Sequence, residues 1–246
     1  MKKSNSLRPI DLNITNISID ARLKKPLRAA VVADLHSAPC EWLLQELAQL
    51  SPNLILCPGD MLHRADESEA GLDFLRQAAA LFPVFCSLGN HECKHGGDIR
   101  DAIRATGATL LDNSFARFED ILIGGLSTGY AFGEKQGRLK KTPKPDVKAL
   151  EGFFAEEGFK ILLSHHPEYF DKYLKDKNTD LVISGHAHGG QWRLFGRGLF
   201  APGQGLFPKY TSGMYHGKLL VSRGLANNTR IPRIFNSPQL ILLELK

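Results

Sequence analysis

The chain has 246 residues, of which 43% are apolar and 23% charged, so its composition is that of an ordinary globular protein that can bury a full core. Its net charge of +5 is too small to single out nucleic acid, anionic lipid or a phosphorylated metabolite as its partner. No stretch approaches the roughly 20 apolar residues of a membrane span, and the lysines at the start are not followed by a signal-like segment. We therefore expect a single domain over residues 1–246, located in the cytoplasm.

Strand-like and helix-like segments alternate through the first 108 residues. Residues 10–19 alternate between apolar and polar side chains, which predicts an edge strand with one solvated face. The β-α-β rhythm that follows predicts parallel strands joined by crossover helices. The predicted strands are 29–33, 54–57 and 84–88, and the predicted helices are 41–50, 67–81 and 98–106.

The regular rhythm is lost after residue 108. Residues 109–124 predict short strands with tight turns that we expect to add in antiparallel fashion, and 127–149 predict a mobile loop that contains the basic stretch 138–145. Residues 189–216 are rich in glycine and aromatic side chains, which predicts a long functional loop system. The remaining predicted elements are helices near 147–157 and 168–175 and strands at 160–163, 180–184, 218–222 and 239–245.

Polar side chains follow five of the predicted strands. Because ligand sites in open α/β sheets form at the carboxyl ends of the strands, we expect these side chains to lie close together. Taken one at a time, each has a structural explanation, such as a helix cap or a turn. Their recurrence at five strand ends favours a shared site. The candidate donors are Asp34, His36, Asp60, Asn90, His165, His186 and His188.

Two carboxylates, one amide oxygen and four imidazoles are more donors than one ion needs, since a zinc site takes about four. Seven donors suit two divalent ions that share a bridging carboxylate. In such sites the ions lie about 3.5–4 Å apart and together bind the attacking and leaving oxygens of a phosphoryl transfer. The mixed nitrogen and oxygen set favours Mn, Fe, Zn, Ni or Co over Mg or Ca.

The order of these motifs resembles the calcineurin-like metallophosphoesterase superfamily over about residues 28–190. That family carries Asp-x-His, Gly-Asp-x-x-Asp-Arg, Gly-Asn-His-(Asp/Glu), a lone histidine after a strand, and Gly-His-x-His. Here the motifs read Asp34-Leu35-His36, Gly59-Asp60-Met61-Leu62-His63-Arg64, Gly89-Asn90-His91-Glu92, His165 and Gly185-His186-Ala187-His188. The segments at 189–191, 205–210 and 222–225 further resemble the bacterial YkuE/YaeI-like phosphoesterase subgroup.

The resemblance implies an α/β fold, namely a four-layer α/β/β/α sandwich of two mixed sheets flanked by helices. It implies two divalent ions bridged by Asp60, and a histidine, His91, that contacts the phosphate and protonates the leaving oxygen without binding metal. It offers no role for His95 or His166. The implied ligands are Asp34, His36, Asp60 and His188 for one ion, and Asp60, Asn90, His165 and His186 for the other.

One position departs from the family pattern. The second Asp of Gly-Asp-x-x-Asp often orients the catalytic histidine, and here His63 stands in its place. A carboxylate would hold His91 and raise its pKa, which an imidazole cannot do in the same way. Either Glu92 or Asp66 serves instead, or His91 works unaided. In the second case leaving-group protonation is weaker, which would favour good leaving groups such as nucleotides or aryl phosphates.

The resulting expectation is a metal-dependent phosphoric ester hydrolase in which a metal-bridging hydroxide attacks a phosphate mono- or diester. Mn is the first expectation for the two ions, with Fe, Zn, Ni and Co as alternatives. The substrate is expected to be a phosphorylated small molecule or a lipid-linked nucleotide.

Two alternatives remain open. The first is a pyrophosphatase peripheral to the inner membrane, acting on a nucleotide-linked lipid such as UDP-2,3-diacylglucosamine in lipid A synthesis. Residues 189–216 and 138–148 would then hold the acyl chains and contact the leaflet. The second is a catalytically silent, metal-bound interaction scaffold. A nuclease is not expected, because the sequence lacks a strong basic stripe and a clear stacking platform.

Overall fold

The structure is a computed structural model that describes residues 9, 11–63, 67–96, 98–133, 142–201, 204–227 and 232–246. These residues form two six-stranded mixed sheets that pack face to face, with helices on the outer faces. The four-layer α/β/β/α sandwich expected from the sequence is therefore confirmed. None of the helices in these ranges has the length and apolar character needed to cross a membrane.

The strands of the described residues are numbered in chain order. They are β1 (Asn13–Ile19), β2 (Leu27–Val31), β3 (Leu54–Cys57), β4 (Val84–Cys86), β5 (Thr109–Leu110), β6 (Ser114–Phe118), β7 (Ile121–Leu126), β8 (Phe159–Ser164), β9 (Leu181–Ser184), β10 (Arg193–Leu194), β11 (Arg197–Gly198), β12 (Phe200–Ala201), β13 (Gly205–Leu206), β14 (Gly213–Tyr215), β15 (Leu219–Val221) and β16 (Gln239–Leu245).

Four α-helices lie between these strands, and each buries an apolar stripe against its sheet. Shorter helical turns of the 3₁₀ type are Glu92–Lys94, Val147–Leu150 and His188–Gly190, and a π-helical turn is Phe170–Leu174. The α-helices are α1 (Glu41–Leu50), α2 (Glu69–Leu81), α3 (Ile99–Arg104) and α4 (Glu151–Ala155).

The strand order is β1-β16-β2-β3-β4-β5 in the first sheet and β14-β15-β9-β8-β7-β6 in the second. Strands β2 to β5 are parallel, as are β7, β8, β9 and β15. Strand β1 lies at the edge of the first sheet, parallel to β16, and its side chains alternate in exposure as the sequence predicts. Both sheets therefore present a row of parallel strand ends.

Alternation along each strand divides the core into layers. In β2 and β3, Ala30 and Ile55 pack against α1 to α3, whereas Ala29, Leu54 and Leu56 pack against the second sheet. A third cluster lies between the outer face of the second sheet and α4. Strands β3 and β9 are buried at every position, which explains why their sequences are almost continuously apolar.

Several predicted elements differ from the structure. Strand β5 pairs with β4 in parallel fashion, and only β6 with β7 forms the expected antiparallel pair. The predicted helix at 168–175 is a π-helical turn, and the one at 147–157 combines a 3₁₀ turn with α4. The segment 189–216 contains two small antiparallel hairpins, β10–β11 and β12–β13. Asp66 and residues 138–141 of the basic stretch lie outside the described residues.

Candidate metal centre

The candidate donors lie just beyond the carboxyl ends of parallel strands from both sheets. Asp34, Asp60 and Asn90 follow β2, β3 and β4 of the first sheet, and His165 and His186 follow β8 and β9 of the second. The backbone N–H of His186 donates to the carboxylate of Asp34 at 3.0 and 3.1 Å, so that a loop of one sheet is tied to a loop of the other. All seven donors are buried.

The first donor group comprises Asp34, His36 and His188, whose ligand atoms all lie within 4.8 Å of one another. The Nε2 atoms of His36 and His188 are 3.2 Å apart, and they lie 3.9 and 3.8 Å from Oδ1 of Asp34. Atoms bound to one ion at about 2.0–2.2 Å lie about 3–3.5 Å apart, so this spacing is close to that of a ligand set.

The second donor group comprises Asp60, His165 and His186. Oδ2 of Asp60 is 3.2 Å from Nε2 of His165 and 3.8 Å from Nε2 of His36. The same carboxylate oxygen therefore faces both groups. Nδ1 of His165 lies 3.2 Å from the carbonyl oxygen of Pro58, a contact that turns Nε2 towards Asp60.

Asn90 lies between two residues whose backbones approach the Asp60 carboxylate. Its neighbour His91 donates its backbone N–H to Oδ1 of Asp60 at 2.8 Å. On the other side of Asn90, a Cβ added to Gly89 would lie 2.2 Å from the same Oδ1. The glycine of the Gly-Asn-His motif is thus required because the backbone passes directly over Asp60.

The donor loops contain unusual backbone conformations. Asp34, His36, Asp60, His186 and His188 all have a φ between 45° and 66°, in the left-handed region that non-glycine residues seldom adopt. Such conformations cost free energy and cluster at functional sites, where the surrounding structure holds them in place.

Burial and mutual charge set the protonation of the two carboxylates. Burial raises the pKa of Asp34 to about 6, with Asp60 adding to the shift and His165 opposing it. Burial also favours the neutral form of Asp60, but the neighbouring His165 and His91 outweigh it and hold the pKa of Asp60 well below its usual range. Two carboxylates in one buried site attract a compensating cation.

Burial lowers the pKa of most histidines in the site. The pKa values of His36 and His186 fall well below their usual value, and that of His188 falls to about 3. Burial would also lower the pKa of His165, but Asp60 outweighs it and raises that pKa to about 9. Neutral imidazoles beside carboxylates are the form in which these side chains bind divalent ions.

Both ring nitrogens of His91 have close polar neighbours. Its Nδ1 lies 3.1 Å from the backbone carbonyl oxygen of His63, and its Nε2 lies 2.8 Å from Nζ of Lys94. The imidazoles of His63 and His91 stack with their centroids 5.1 Å apart. His63 therefore positions His91 through its main chain, and whether an acidic side chain also serves His91 stays a prediction.

Glu92 does not replace the missing carboxylate either. Its side chain is buried and accepts backbone N–H bonds from Asp60, Leu62 and Gly89 at 2.8–3.0 Å. It therefore joins the loops that follow β3 and β4. Burial raises the pKa of Glu92 to about 7, with Asp60 adding to the shift and the amide bonds opposing it.

Two further side chains contact the donor groups and were missed by the sequence analysis. Nη2 of Arg233 lies 3.2 Å from Nδ1 of His188, although the two residues are 45 positions apart. Glu168 forms a further cluster with His166 and His186, in which the ligand atoms lie within 4.8 Å of one another. An acid two residues beyond a histidine pair was a weak signal for Glu168, whereas no local pattern marks Arg233.

The residues present fit a pair of divalent ions. The two donor groups share Asp60, combine carboxylates with imidazoles, and are buried with spacings close to those of metal ligands. Cysteine does not contribute to the donor set among the described residues, which disfavours ions that prefer thiolates.

A family model described as calcineurin-like phosphoesterase matches residues 27–190, which is more than half of the chain. The chain therefore belongs to the calcineurin-like phosphoesterase family, and the resemblance drawn from the motifs is confirmed. The segment that matches contains all seven candidate donors and His91.

Three curated relatives illustrate the similarity. The metallophosphoesterase YkuE of Bacillus subtilis is 29% identical over 79% of this chain and 68% of its own length. The UDP-2,3-diacylglucosamine pyrophosphatase LpxG of Chlamydia muridarum is 27% identical over 98% of this chain and 91% of its own length. The phosphodiesterase YaeI of Escherichia coli is 26% identical over 69% of this chain and 63% of its own length. The chain spans only 48 to 68% of the length of several bacterial metallophosphoesterases that it matches.

Proposed function

We propose that this chain is a metal-dependent phosphoric ester hydrolase with two divalent ions. The observation that carries the proposal is the position of Asp60, whose Oδ2 faces a donor of each group at 3.2 and 3.8 Å. Asp34, His36 and His188 would complete one site, and Asn90, His165 and His186 the other. The family membership and the relatives named as phosphodiesterase and pyrophosphatase support this assignment.

Bound divalent ions in such a site supply Lewis-acid polarisation of phosphate oxygens and a water of lowered pKa. The protein's own residues hold the donors in place and exclude bulk water, because the donor side chains are buried. His91 lies at the same loop and is the candidate group to stabilise the leaving oxygen through Nε2, or to protonate it when both ring nitrogens carry a proton. The carbonyl oxygen of His63 would hold its ring in that orientation.

The mixed nitrogen and oxygen donors favour Mn, with Fe, Zn, Ni or Co as alternatives. The test is hydrolysis of p-nitrophenyl phosphate and bis-p-nitrophenyl phosphate by metal-stripped protein to which each ion is added back singly. Turnover that depends on the added ion is the expected result. Binding of two ions per chain without turnover of any phosphoester would instead support a catalytically silent scaffold.

A second candidate function is a pyrophosphatase that acts on a lipid-linked nucleotide at the inner membrane. The similarity to LpxG favours it, and so does the set of exposed apolar side chains near His188. Hydrolysis of a nucleotide-diphospho-lipid, with the nucleoside monophosphate as product, would be the expected result. Equal turnover of nucleotide diphosphates with and without the lipid would argue against this function.

A further inference from the structure

Exposed apolar side chains are concentrated in one part of the chain. Among the described residues, every exposed large apolar side chain except Leu81 and Phe115 lies between residues 192 and 235. The most prominent have exposed fractions of 96% for Phe195, 80% for Phe207 and 83% for Phe235. The apolar surface, as we define it, consists of Trp192, Phe195, Leu206, Phe207, Ile234 and Phe235.

These side chains belong to segments that are joined by backbone contacts. Trp192 and Ile234 form a parallel bridge, and the indole N–H of Trp192 donates to the carbonyl oxygen of Pro232. Leu199 donates its N–H to the carbonyl oxygen of Trp192, and Phe207 donates to that of Leu199. The hairpins β10–β11 and β12–β13 and residues 234–235 thus form one connected surface that carries exposed aromatic side chains.

The apolar surface is fixed next to the candidate metal centre. Asn236 donates from Nδ2 to the carbonyl oxygens of His188 and Gln191 at 2.7 and 3.1 Å. Arg193 donates from Nη1 to the carbonyl oxygen of Gly189 at 2.7 Å. Whatever covers this surface therefore lies beside the loop that carries His186 and His188.

The charge of residues 181–243 indicates what kind of partner covers the apolar surface. Residues 181–243 contain seven lysines and arginines and neither aspartate nor glutamate. Arg197 is exposed close to Phe195 in the sequence, and Lys209 is exposed close to Phe207, where its ammonium also pairs with Asp171 at 2.7 Å. Basic groups around protruding aromatic side chains complement an anionic lipid surface, where apolar burial and charge attraction act together. A second copy of the same surface would set like charges against each other, which disfavours self-association.

We propose that the apolar surface docks this chain onto an anionic lipid bilayer, with the candidate metal centre next to the headgroup layer. The inference deepens the second candidate function. The phosphoester would be carried by a lipid in that bilayer, and this statement about the substrate rests on that function. The docking itself requires neither bound metal nor turnover.

The experiment is co-sedimentation with vesicles of phosphatidylcholine alone and of phosphatidylcholine mixed with phosphatidylglycerol, at low and high salt. The test variant carries Phe195→Ser, Phe207→Ser and Phe235→Ser, and the matched control carries Leu81→Ser, which removes a 60% exposed side chain from α2. We expect the wild type and the control to bind the anionic vesicles, and the triple variant to bind about tenfold or more weakly. Salt should weaken the binding of the wild type, because it screens the attraction.

Failure of wild-type protein to bind either kind of vesicle, or equal binding by the triple variant, would overturn the proposal. The proposal would also be overturned if the wild type is an oligomer that does not bind vesicles and the triple variant is a monomer. That result would identify the apolar surface as an interface between copies. If the triple variant does not fold, the single variant Phe195→Ser makes the same comparison. Asp60→Ala should still bind vesicles, so a loss of docking and a loss of hydrolysis can be told apart.

Discussion

Nδ1 of His91 lies 3.1 Å from the backbone carbonyl oxygen of His63. A carbonyl oxygen only accepts hydrogen bonds, so the contact places a proton on Nδ1 and leaves the lone pair on Nε2, where Lys94 lies at 2.8 Å. The main chain of His63 thus fixes the ring orientation of His91, the candidate catalytic histidine, at the position where the family pattern has an aspartate side chain.

We first predict that His63→Ala retains most of the hydrolytic activity, with a loss below about tenfold, because the carbonyl that orients His91 remains. The measurement is kcat/KM on bis-p-nitrophenyl phosphate with Mn added. A loss as large as that of His91→Ala would show that the imidazole of His63 itself takes part.

His63→Asp tests the consequence of the missing carboxylate. A negative charge beside His91 favours its protonated form and raises its pKa, so activity that depends on a protonated His91 should persist to higher pH. The dependence on leaving-group pKa across a series of aryl phosphate esters should also become weaker. If the slope of log(kcat/KM) against leaving-group pKa is the same for the wild type and His63→Asp, the hypothesis that leaving-group protonation is limited in the native chain is wrong.

The second prediction concerns His91 itself. His91→Ala should keep its metal content but lose roughly 10²-fold or more in kcat, as for the removal of a general acid. Metal content by mass spectrometry and single-turnover rates would be measured on the same preparation. An inactive variant that has also lost its metal would break this assignment of roles.

The third prediction is that Asp60→Ala abolishes binding of both ions as well as activity, because one carboxylate oxygen faces both donor groups. Ion stoichiometry by equilibrium dialysis is the measurement. Asp73→Ala, which removes an exposed carboxylate from α2, is the matched control and should bind two ions like the wild type. Retention of one ion by Asp60→Ala would argue against a bridging carboxylate.

The fourth prediction tests the close passage of the backbone over Asp60. Gly89→Ala would place a Cβ 2.2 Å from Oδ1 of Asp60, which should destabilise the chain by about 1–3 kcal/mol and weaken ion binding. Gly96→Ala is the control, since a Cβ there meets nothing within 4 Å among the described residues. Thermal unfolding with and without Mn would compare the two. Equal unfolding temperatures would show that the loop relaxes at no cost.

The fifth prediction assigns a positioning role to Glu168. Its Oε2 is buried without a hydrogen-bond partner in the described structure, and its carboxylate clusters with His166 and His186. A carboxylate that holds a ligating histidine typically contributes about 10–100-fold to metal affinity, so Glu168→Gln should weaken ion binding by that factor. Glu156→Gln, which removes an exposed partner of Arg117, is the control. Unchanged affinity in Glu168→Gln would exclude the role.

Much of the architecture was readable from local patterns. Continuous apolar runs marked β3 and β8 because those strands are buried on both faces, and periodic apolar residues marked α1 at its observed ends. Local patterns failed for β5 and for the π-helical turn at Phe170–Leu174. Two residues are too few to show a pairing direction, and the type of helical turn depends on neighbouring packing.

The candidate donors could be identified from the sequence because each follows a strand, and parallel strands bring their ends to one edge. The assignment of those donors to ions remains a prediction. The sequence placed Asp34, Asp60 and His186 in separate motifs, and the structure brings them to a common site through contacts between loops of the two sheets.

The sequence by itself determined which residue types stand at the strand ends, and hence the family and the four-layer fold. Only the tertiary structure decided that a main-chain carbonyl orients His91, that Glu92 joins two loops, and that Arg233 meets His188. It also decided that side chains from three described segments, 192–195, 206–207 and 234–235, form one exposed apolar surface. These features arise from contacts between residues far apart in the chain, and such contacts depend on loop paths that no local periodicity encodes.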